Sequence, residues 1–360
     1  MRYRLTRAVW RSRRPFRVAL LLVLLVTVLG GSLATGGCFV TETINKAVVT
    51  KRGLDIANQI NTKAREGYDV LAARTKWVEA LQAYTANDFS KTNKLINQAR
   101  AVLALSNKKV AERLYYRSAD GTKVSGLLYK PEGKGPWPLI VLCHAGFGEG
   151  ADFSDVALMV RSKGYVVFNP DFRGSGKSEG KHEGAKGEVD DVISGIKYVK
   201  SLGVVDDTHV GMYGQSHGAS VAMLAASRYS GIKAVVEEAG FTDAVDLYNS
   251  EANSTDATVS TLKKELLSMI GGTPSQVPNE YKVRSAINYA DRINAPMLLI
   301  HGAKDPLIPV SEAQRMYDAL KADGKTAELK IYPEEAHCVA IPANRNEVWE
   351  MMFAWFKKYV

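Results

Sequence analysis

The sequence predicts an α/β fold with a doubly wound, mostly parallel sheet over roughly its last two-thirds. Apolar strands alternate with helical segments in this region, which is the order that a sheet covered by helices requires. Strands such as Pro138–Cys143 are continuously apolar, as expected for strands buried on both faces. Polar residues follow several of these strands directly. We therefore expect a functional site above one edge of the sheet.

The segment Val210–Ala219 contains the pattern of a nucleophile elbow. A short apolar strand runs into Gly214-x-Ser216-x-Gly218, and a helical pattern continues to Arg228. Small residues are needed on both sides of the serine because the sharp bend brings backbone segments too close for a Cβ atom. Ser216 would lie at the amino end of a helix, whose dipole favours developing negative charge. The pattern predicts Ser216 as a catalytic nucleophile.

Two later buried strands place an acid and a base after Ser216 in the chain. Asp305 follows one strand and His337 follows the next. A serine hydroxyl needs a base to take its proton, and imidazole titrates near neutral pH, so His337 is the predicted general base. Asp305 is the predicted carboxylate that orients the imidazole. Glu238 and Asp243, at the end of an earlier strand, remain alternatives for this acid.

The chain order Ser, Asp, His and three further segments carry a resemblance to a known family. Val167–Gly176 resembles a strand and loop before the second helix, Asp190–Tyr198 the helix before the elbow strand, and Val283–Tyr289 the lead-in to the acid strand. From about Leu114 to Val360 the chain resembles an α/β-hydrolase of the prolyl-oligopeptidase and dienelactone-hydrolase-like branch. The resemblance implies a serine hydrolase. Dienelactone hydrolases use a cysteine where Ser216 stands, so their lactone chemistry is not implied.

An oxyanion hole is expected beside the nucleophile. The backbone N–H of His217, the residue after the nucleophile, is one predicted donor. The loop His144–Gly150 provides the other, which the resemblance places at Gly146, with Phe147 as the alternative. Removing one such donor typically lowers the rate about a hundredfold. We expect the His144 side chain to brace this loop rather than to titrate.

Residues 241–290 predict a cap over the elbow, because they are too many for a simple connection and Ala257–Ile270 has a helical pattern. The predicted substrate-binding residues are Phe147, Phe241 and Tyr248. Most apolar side chains of the cap could instead pack it onto the sheet. The candidates for the pocket wall within the insertion are Phe241, Leu247, Tyr248, Leu266, Leu267 and Met269.

The amino-terminal segment predicts export and a membrane anchor. Residues 1–17 contain seven arginines and no acidic residue, and residues 18–37 form an apolar run without charge. About 20 apolar residues span a bilayer as a helix, and the basic flank stays in the cytoplasm. The catalytic domain is therefore expected on the extracytoplasmic side. A cleaved signal peptide, a twin-arginine signal at residues 12–16 and a lipid on Cys38 are the alternatives.

The composition of the remaining chain excludes several classes. Setting those seven arginines aside leaves 40 basic and 38 acidic residues, so the net charge of +9 does not indicate a nucleic-acid surface. No Cys or His spacing is typical of a metal site, no Walker loop is present, and no cofactor is expected. A Cys143–Cys338 disulfide is conceivable, but a domain of this size does not require one.

Residues 41–112 predict an α-helical hairpin between the membrane segment and the catalytic domain. We expect one long helix and a shorter return helix over Lys91–Asn107, with a break and helix cap at Ala86–Ser90. The hairpin is a spacer, a binding surface for a protein partner or a cover over the site. The catalytic domain, residues 113–360, opens with a β-hairpin turned at Ala119–Gly121.

These observations predict an exported, membrane-anchored serine hydrolase. It would cleave small-molecule carboxylic esters through a Ser-His-Asp triad and an acyl-enzyme, with short peptides as the alternative substrate. The first alternative is a serine peptidase of prolyl-oligopeptidase type. The resembling peptidases usually carry a large β-propeller, and residues 41–112 stand in its place. The second alternative is a non-catalytic binding protein with a hydrolase fold.

Overall fold

The computed structural model describes residues 38–252 and 257–360. The basic segment 1–17 and the expected anchor or signal peptide 18–37 lie outside the described residues. Within the two described ranges, no helix combines the length and apolar character needed to cross a bilayer. The described chain forms two compact units. The helical unit comprises residues 38–64 and 68–108, and the sheet unit comprises residues 65–67 and 109–360.

Three helices occupy the region where one long helix and one return helix were expected. They are α1 (Cys38–Arg65), α2 (Leu71–Thr85) and α3 (Phe89–Leu105). The expectation of a single long helix is therefore wrong, because the chain leaves the helical conformation between α1 and α2. Gly67 has a φ of 83°, a left-handed conformation that glycine adopts readily and that ends a right-handed helix.

The expected helix cap before α3 is present. The carboxylate of Asp88 accepts a hydrogen bond of 2.9 Å from the backbone N–H of Lys91. This bond satisfies one of the free amides at the amino end of α3. Ile56, Ile60 and Ile96 are almost completely buried and form part of the apolar interior of the helical unit.

The sheet unit contains one eight-stranded sheet with the strand order β1-β2-β4-β3-β5-β6-β7-β8. The pairs β1–β2 and β2–β4 are antiparallel, and the strands from β4 to β8 in this order are parallel. The strands are β1 (Glu112–Arg117), β2 (Lys123–Tyr129), β3 (Trp137–Cys143), β4 (Val166–Asp171), β5 (Val205–Gln215), β6 (Ala234–Glu238), β7 (Met297–Gly302) and β8 (Ala327–Tyr332). This is the mostly parallel, α/β-hydrolase-like sheet that the sequence predicts.

Helices connect the parallel strands and bury the sheet. α6 is the most deeply placed, since its residues 218–226 are all buried. Small side chains occupy much of this helix, which lets it lie close to the sheet. The helices are α4 (Ser154–Arg161), α5 (Gly187–Ser201), α6 (His217–Arg228), α7 (Ala244–Ala252), α8 (Ala257–Ile270), α9 (Pro278–Lys282), α10 (Ser311–Ala322) and α11 (Pro342–Tyr359), with 3₁₀ helices at Gly150–Phe153 and Ala286–Arg292.

The topology collects six loops at one edge of the sheet. Because parallel strands end on the same side, the loops that follow β3, β4, β5, β6, β7 and β8 meet there.

The insertion between β6 and β7 contains α7, α8 and α9, and α8 has the bounds expected for the cap helix, Ala257–Ile270. The fold thus brings residues far apart in the chain to one site.

Candidate active site

Ser216 lies in a strained turn between β5 and α6. Its φ of 54° and ψ of −123° are unusual for a residue with a side chain. A Cβ atom on Gly214 would overlap the carbonyl of Gly218, and one on Gly218 would overlap the carbonyl of Cys143. The backbone N–H of Ser216 donates to the carbonyl oxygen of Glu238 at 2.7 Å. The two glycines are therefore required by close backbone approaches, as expected for a nucleophile elbow.

The structure brings the three predicted triad residues together. His337 Nε2 lies 2.9 Å from Ser216 Oγ, and His337 Nδ1 lies 2.7 Å from Asp305 Oδ2. The two ring nitrogens of His337 thus contact the hydroxyl and the carboxylate at once. This arrangement allows the imidazole to accept the serine proton while the carboxylate fixes its tautomer.

Asp305 is held ionised in a buried position. Its Oδ1 accepts hydrogen bonds from the backbone N–H groups of Leu307 at 2.8 Å and Ile308 at 2.9 Å. Its Oδ2 is also 3.2 Å from His301 Nε2, and neither side chain of that pair is exposed. Burial acts to raise the pKa of Asp305, but the hydrogen bonds from His301 and His337 outweigh it and hold that pKa well below its ordinary value.

The two alternative acids have other partners. The Glu238 carboxylate is bound by both terminal nitrogens of Arg345, at 2.8 and 2.6 Å, and by the Tyr213 hydroxyl at 2.6 Å. The Asp243 carboxylate accepts the backbone N–H of Val245 at 2.8 Å, near the start of α7. Of the three candidate carboxylates, Asp305 is the one that contacts His337.

The two predicted oxyanion donors flank Ser216. His217 is the first residue of α6, where helix amides have no partner within the helix. Gly146 and Phe147 line the cavity beside Ser216, and Gly146 has a φ of 46°. Their roles stay predictions.

The imidazole rings of His144 and His217 are held neutral. Burial lowers the pKa of His144 to about 3 and that of His217 to about 4. His144 Nε2 lies 3.4 Å from the backbone N–H of Phe172, and the two rings stack at a tilt. The His144 ring thus packs against the loop that follows β4, and it is held neutral, as expected from the sequence.

A cavity of about 130 Å³ opens beside Ser216. Phe147 and Phe241 line it, as expected, and the ring of Phe147 stands edge-on to His182 at 5.0 Å. No Asp, Glu, Lys or Arg is among the lining residues that the structure describes. The complete lining is Gly146, Phe147, His182, Gly184, Ser216, His217, Phe241, Leu247, Leu266, Met269, Leu307, Ile308 and His337.

Tyr248 is a correction to the predicted substrate-binding set. Its ring does not line the cavity but packs edge-on against Tyr281 at 6.0 Å, with Lys263 Nζ 4.4 Å from its centre. The reason is that α7 directs this ring toward other parts of the cap. Leu267, another candidate for the wall, also lies outside the lining.

Several site residues were missed by the sequence argument. His182 and Gly184 come from the loop between β4 and α5, and Leu307 and Ile308 lie two and three residues after Asp305. Leu307 and Ile308 could have been found, because a loop that carries a triad residue also borders the pocket. His301, which contacts Asp305, had a weaker signal in its position at the end of an apolar strand.

Asp171 and Arg173 form structural contacts, each with a different partner. Asp171 binds Arg113 at 2.5 Å, and Arg173 binds the buried Asp191 at 2.8 Å. The cysteines Cys143 and Cys338 are free thiols, so the conceivable disulfide is absent.

This fold and site define a serine hydrolase of the α/β-hydrolase type. A model of the prolyl oligopeptidase family of peptidases (Peptidase_S9) matches residues 151–360, which is more than half of the chain. The protein belongs to that family.

Known proteins are similar to this chain in sequence or in fold. The chain is 28% identical over 241 residues to the "uncharacterized peptidase YtmA" of Bacillus subtilis, a match that covers 66% of this chain and 90% of the relative. The acylaminoacyl peptidase of Pyrococcus horikoshii has a similar fold, with a TM-score of 0.59 and 24% identity over 72% of this chain and 43% of that one. The Pyrococcus furiosus esterase Pf2001 gives a TM-score of 0.56 and 22% identity over 69% of this chain and 91% of that one.

Proposed function

We propose that the protein hydrolyses uncharged carboxylic esters with short acyl groups through an acyl-enzyme on Ser216. The observation that carries this proposal is the cavity beside the Ser216 hydroxyl, whose described lining is mostly apolar and has no Asp, Glu, Lys or Arg. A charged acyl group would lose its hydration there without gaining a partner. The cavity volume of about 130 Å³ is smaller than the ~300–1,000 Å³ of sites for drug-sized ligands. Short acyl groups are therefore favoured.

The proposed reaction uses the observed contacts in two steps. Ser216 Oγ attacks the ester carbonyl while His337 Nε2 takes the hydroxyl proton across the 2.9 Å contact. Collapse of the tetrahedral intermediate breaks the C–O bond, and protonated His337 returns the proton to the leaving alcohol. Water then attacks the acyl-enzyme with the same base and releases the acid and free Ser216.

The surrounding groups stabilise the charges that develop in this reaction. The ionised carboxylate of Asp305, 2.7 Å from His337 Nδ1, stabilises the imidazolium form. The backbone N–H groups of His217 and Gly146 are the proposed donors to the tetrahedral oxyanion. The amino end of α6 adds a favourable dipole at the same place.

Peptide hydrolysis is the second candidate, and the family membership favours it. An amide uses the same nucleophile and base, and differs in that His337 must protonate a leaving amine. The described cavity residues provide no carboxylate for a free α-amino group. A peptide substrate of this site is therefore expected to carry a blocked or internal amino group.

A two-stage experiment tests these functions. Labelling with a fluorophosphonate is expected on the wild-type protein and not on Ser216→Ala. An unlabelled but folded wild-type protein would instead favour the non-catalytic binding role. Relative kcat/KM values for p-nitrophenyl acetate, butyrate and octanoate and for blocked and free aminoacyl anilides then define the substrate. Faster cleavage of a blocked anilide than of every ester would reject the ester proposal in favour of the peptidase.

We also propose that residues 18–37 anchor the protein in a membrane after export, which rests on the amino-acid sequence of residues 1–37. The basic flank and the uncharged apolar run support an anchor with its amino end in the cytoplasm. The full chain should stay with the membrane fraction after alkaline carbonate extraction, whereas a chain beginning at residue 41 should be extracted. Release of the full chain in the same way as the shortened one would reject the anchor.

A further inference from the structure

His301 lies beside the triad without being one of its members. It is near the end of β7, and its side chain is fully buried. Its Nε2 is 2.9 Å from the carbonyl oxygen of Ile308 and 3.2 Å from Asp305 Oδ2. A backbone carbonyl accepts hydrogen bonds and does not donate them, and the ionised carboxylate does the same. The proton of His301 is therefore on Nε2.

We propose that His301 is a positioning residue, whose Nε2–H is shared between the Ile308 carbonyl and Asp305 Oδ2 and holds that oxygen where it accepts the hydrogen bond from His337. This inference rests on the proposed function, because it concerns the triad that carries the reaction. Asp305 Oδ1 is already held by two backbone N–H groups of its own loop. The Oδ2 side is held by His301 and by His337, and His337 must change its protonation state during each turnover. His301 is thus the partner of Oδ2 whose hydrogen bond can stay unchanged throughout each turnover.

The strand next to β7 supports the donor state of His301. Glu237 on β6 pairs in register with Leu299, two residues before His301, so Glu237 and His301 lie on the same face of the sheet. Burial acts to lower the pKa of His301, but the hydrogen bond to Asp305 and the charge of Glu237 outweigh it and raise that pKa. The titratable groups around His301 are Glu237, with Glu312 acting on it, and the Asp305–His337 pair.

The geometry predicts a consequence for the pH dependence. A donor on Asp305 Oδ2 draws part of the carboxylate charge away from His337. Without this donor, Asp305 would stabilise protonated His337 more strongly. The base must be unprotonated to act, so removing His301 should move the acid limb of kcat/KM to higher pH.

Two substitutions and a control on the same strand test the proposal. His301→Leu removes the donor, and His301→Gln keeps an amide N–H that can reach the same oxygen. Ile300→Val trims a buried neighbour that has no hydrogen-bonding side chain. With p-nitrophenyl acetate, His301→Leu should lower kcat about tenfold or more with KM within about twofold, and should shift the acid limb upward. His301→Gln should recover most of kcat, and Ile300→Val should resemble the wild type.

Equal loss in the Leu and Gln variants, or a Leu variant that matches Ile300→Val, would overturn the positioning role. Failure of the proposed function is distinguishable, because it appears as absent labelling and turnover in the wild type. Nitrogen NMR of histidine-labelled protein tests the inference without turnover. A protonated Nε2 on His301 whose signal changes in Asp305→Asn is expected, and a bare Nε2 overturns the proposal.

Discussion

Two carboxylates stand at the ends of neighbouring parallel strands and do different things. Glu238 is the last residue of β6, and Asp305 follows β7. Neither side chain is exposed. Sequence position and burial do not distinguish them, and both were candidates for the acid. Their partners differ: Glu238 binds the guanidinium of Arg345, whereas Asp305 binds the imidazole of His337.

The nature of the cation explains the difference in role. A guanidinium stays charged at every working pH, so the Glu238–Arg345 pair is a fixed structural contact. Glu238 also accepts the backbone N–H of Val339 at 2.7 Å, and thereby fastens the loop that follows His337. An imidazole gains and loses a proton, so a carboxylate bound to it can act in a reaction. The partner of a carboxylate, and not its position at the edge of the sheet, therefore defines the catalytic acid.

The largest expected effect is a loss of turnover when Asp305 is changed. Asp305→Asn should lower kcat by about 10⁴-fold, because an amide favours the wrong imidazole tautomer and does not stabilise its charged form. The melting temperature should also fall, because the amide oxygen can still accept the two backbone N–H groups but the amide nitrogen cannot accept the Nε2–H of His301. Ester turnover and thermal melts measure both effects. Retention of more than a few per cent of kcat would assign the acid to another residue.

On the Glu238 side, the expected loss is in stability. Glu238→Gln leaves the mostly buried guanidinium of Arg345 without its countercharge, which should cost about 3 kcal/mol in the free energy of unfolding. Urea unfolding measures this loss. A double variant with Arg345→Gln should recover part of it. If Glu238→Gln instead matched Asp305→Asn in lost turnover at unchanged stability, the assignment of the two roles would be reversed.

A third buried carboxylate, Glu237, should make the stability of the protein depend on pH. Burial raises the pKa of Glu237 to about 7, above its ordinary unfolded value. The folded state therefore binds this proton more tightly, so the contribution to stability is complete at low pH and is lost as pH rises through 7. Glu237→Gln should gain roughly 3 kcal/mol relative to the wild type between pH 4 and pH 9. A difference between the two proteins that stays constant with pH would contradict this assignment.

The smallest expected effect concerns the geometry of the Glu238 contact. Arg345→Lys keeps the charge but loses the two-nitrogen contact to the carboxylate. We expect a loss of about 1 kcal/mol in the free energy of unfolding and little change in kcat. Unfolding curves and ester kinetics on the same preparation measure both. A large fall in kcat would show that the loop carrying His337 depends on this contact for activity.

The sequence patterns of the strands and of the nucleophile elbow predicted the structure correctly, because each depends on constraints within a short segment of chain. Close backbone approaches demand Gly214 and Gly218, and two-sided burial demands the apolar run that precedes Asp305. The strand that precedes His337 is the edge strand of the sheet and is partly exposed, so burial on both faces does not explain its pattern. The missed break at Gly67 has a different cause. Helical periodicity continues on both sides of it, and one left-handed residue is enough to end α1.

The pocket was only partly predictable. Phe147 and Phe241 line it, but Tyr248 on α7 packs within the cap. A sequence indicates that a side chain is apolar, and does not indicate which of several apolar surfaces it meets. His182 reaches the cavity from a loop whose path depends on its neighbours.

The class of fold, the elbow serine and the chain order of the nucleophile, acid and base could be predicted from the amino-acid sequence, because they follow from burial, backbone geometry and proton affinity within short segments. The three-dimensional structure was needed to show which carboxylate contacts His337, which side chains form the cavity, and that His301 contacts Asp305. Those outcomes depend on distances between loops far apart in the chain, and the packing of the whole sheet unit sets these distances.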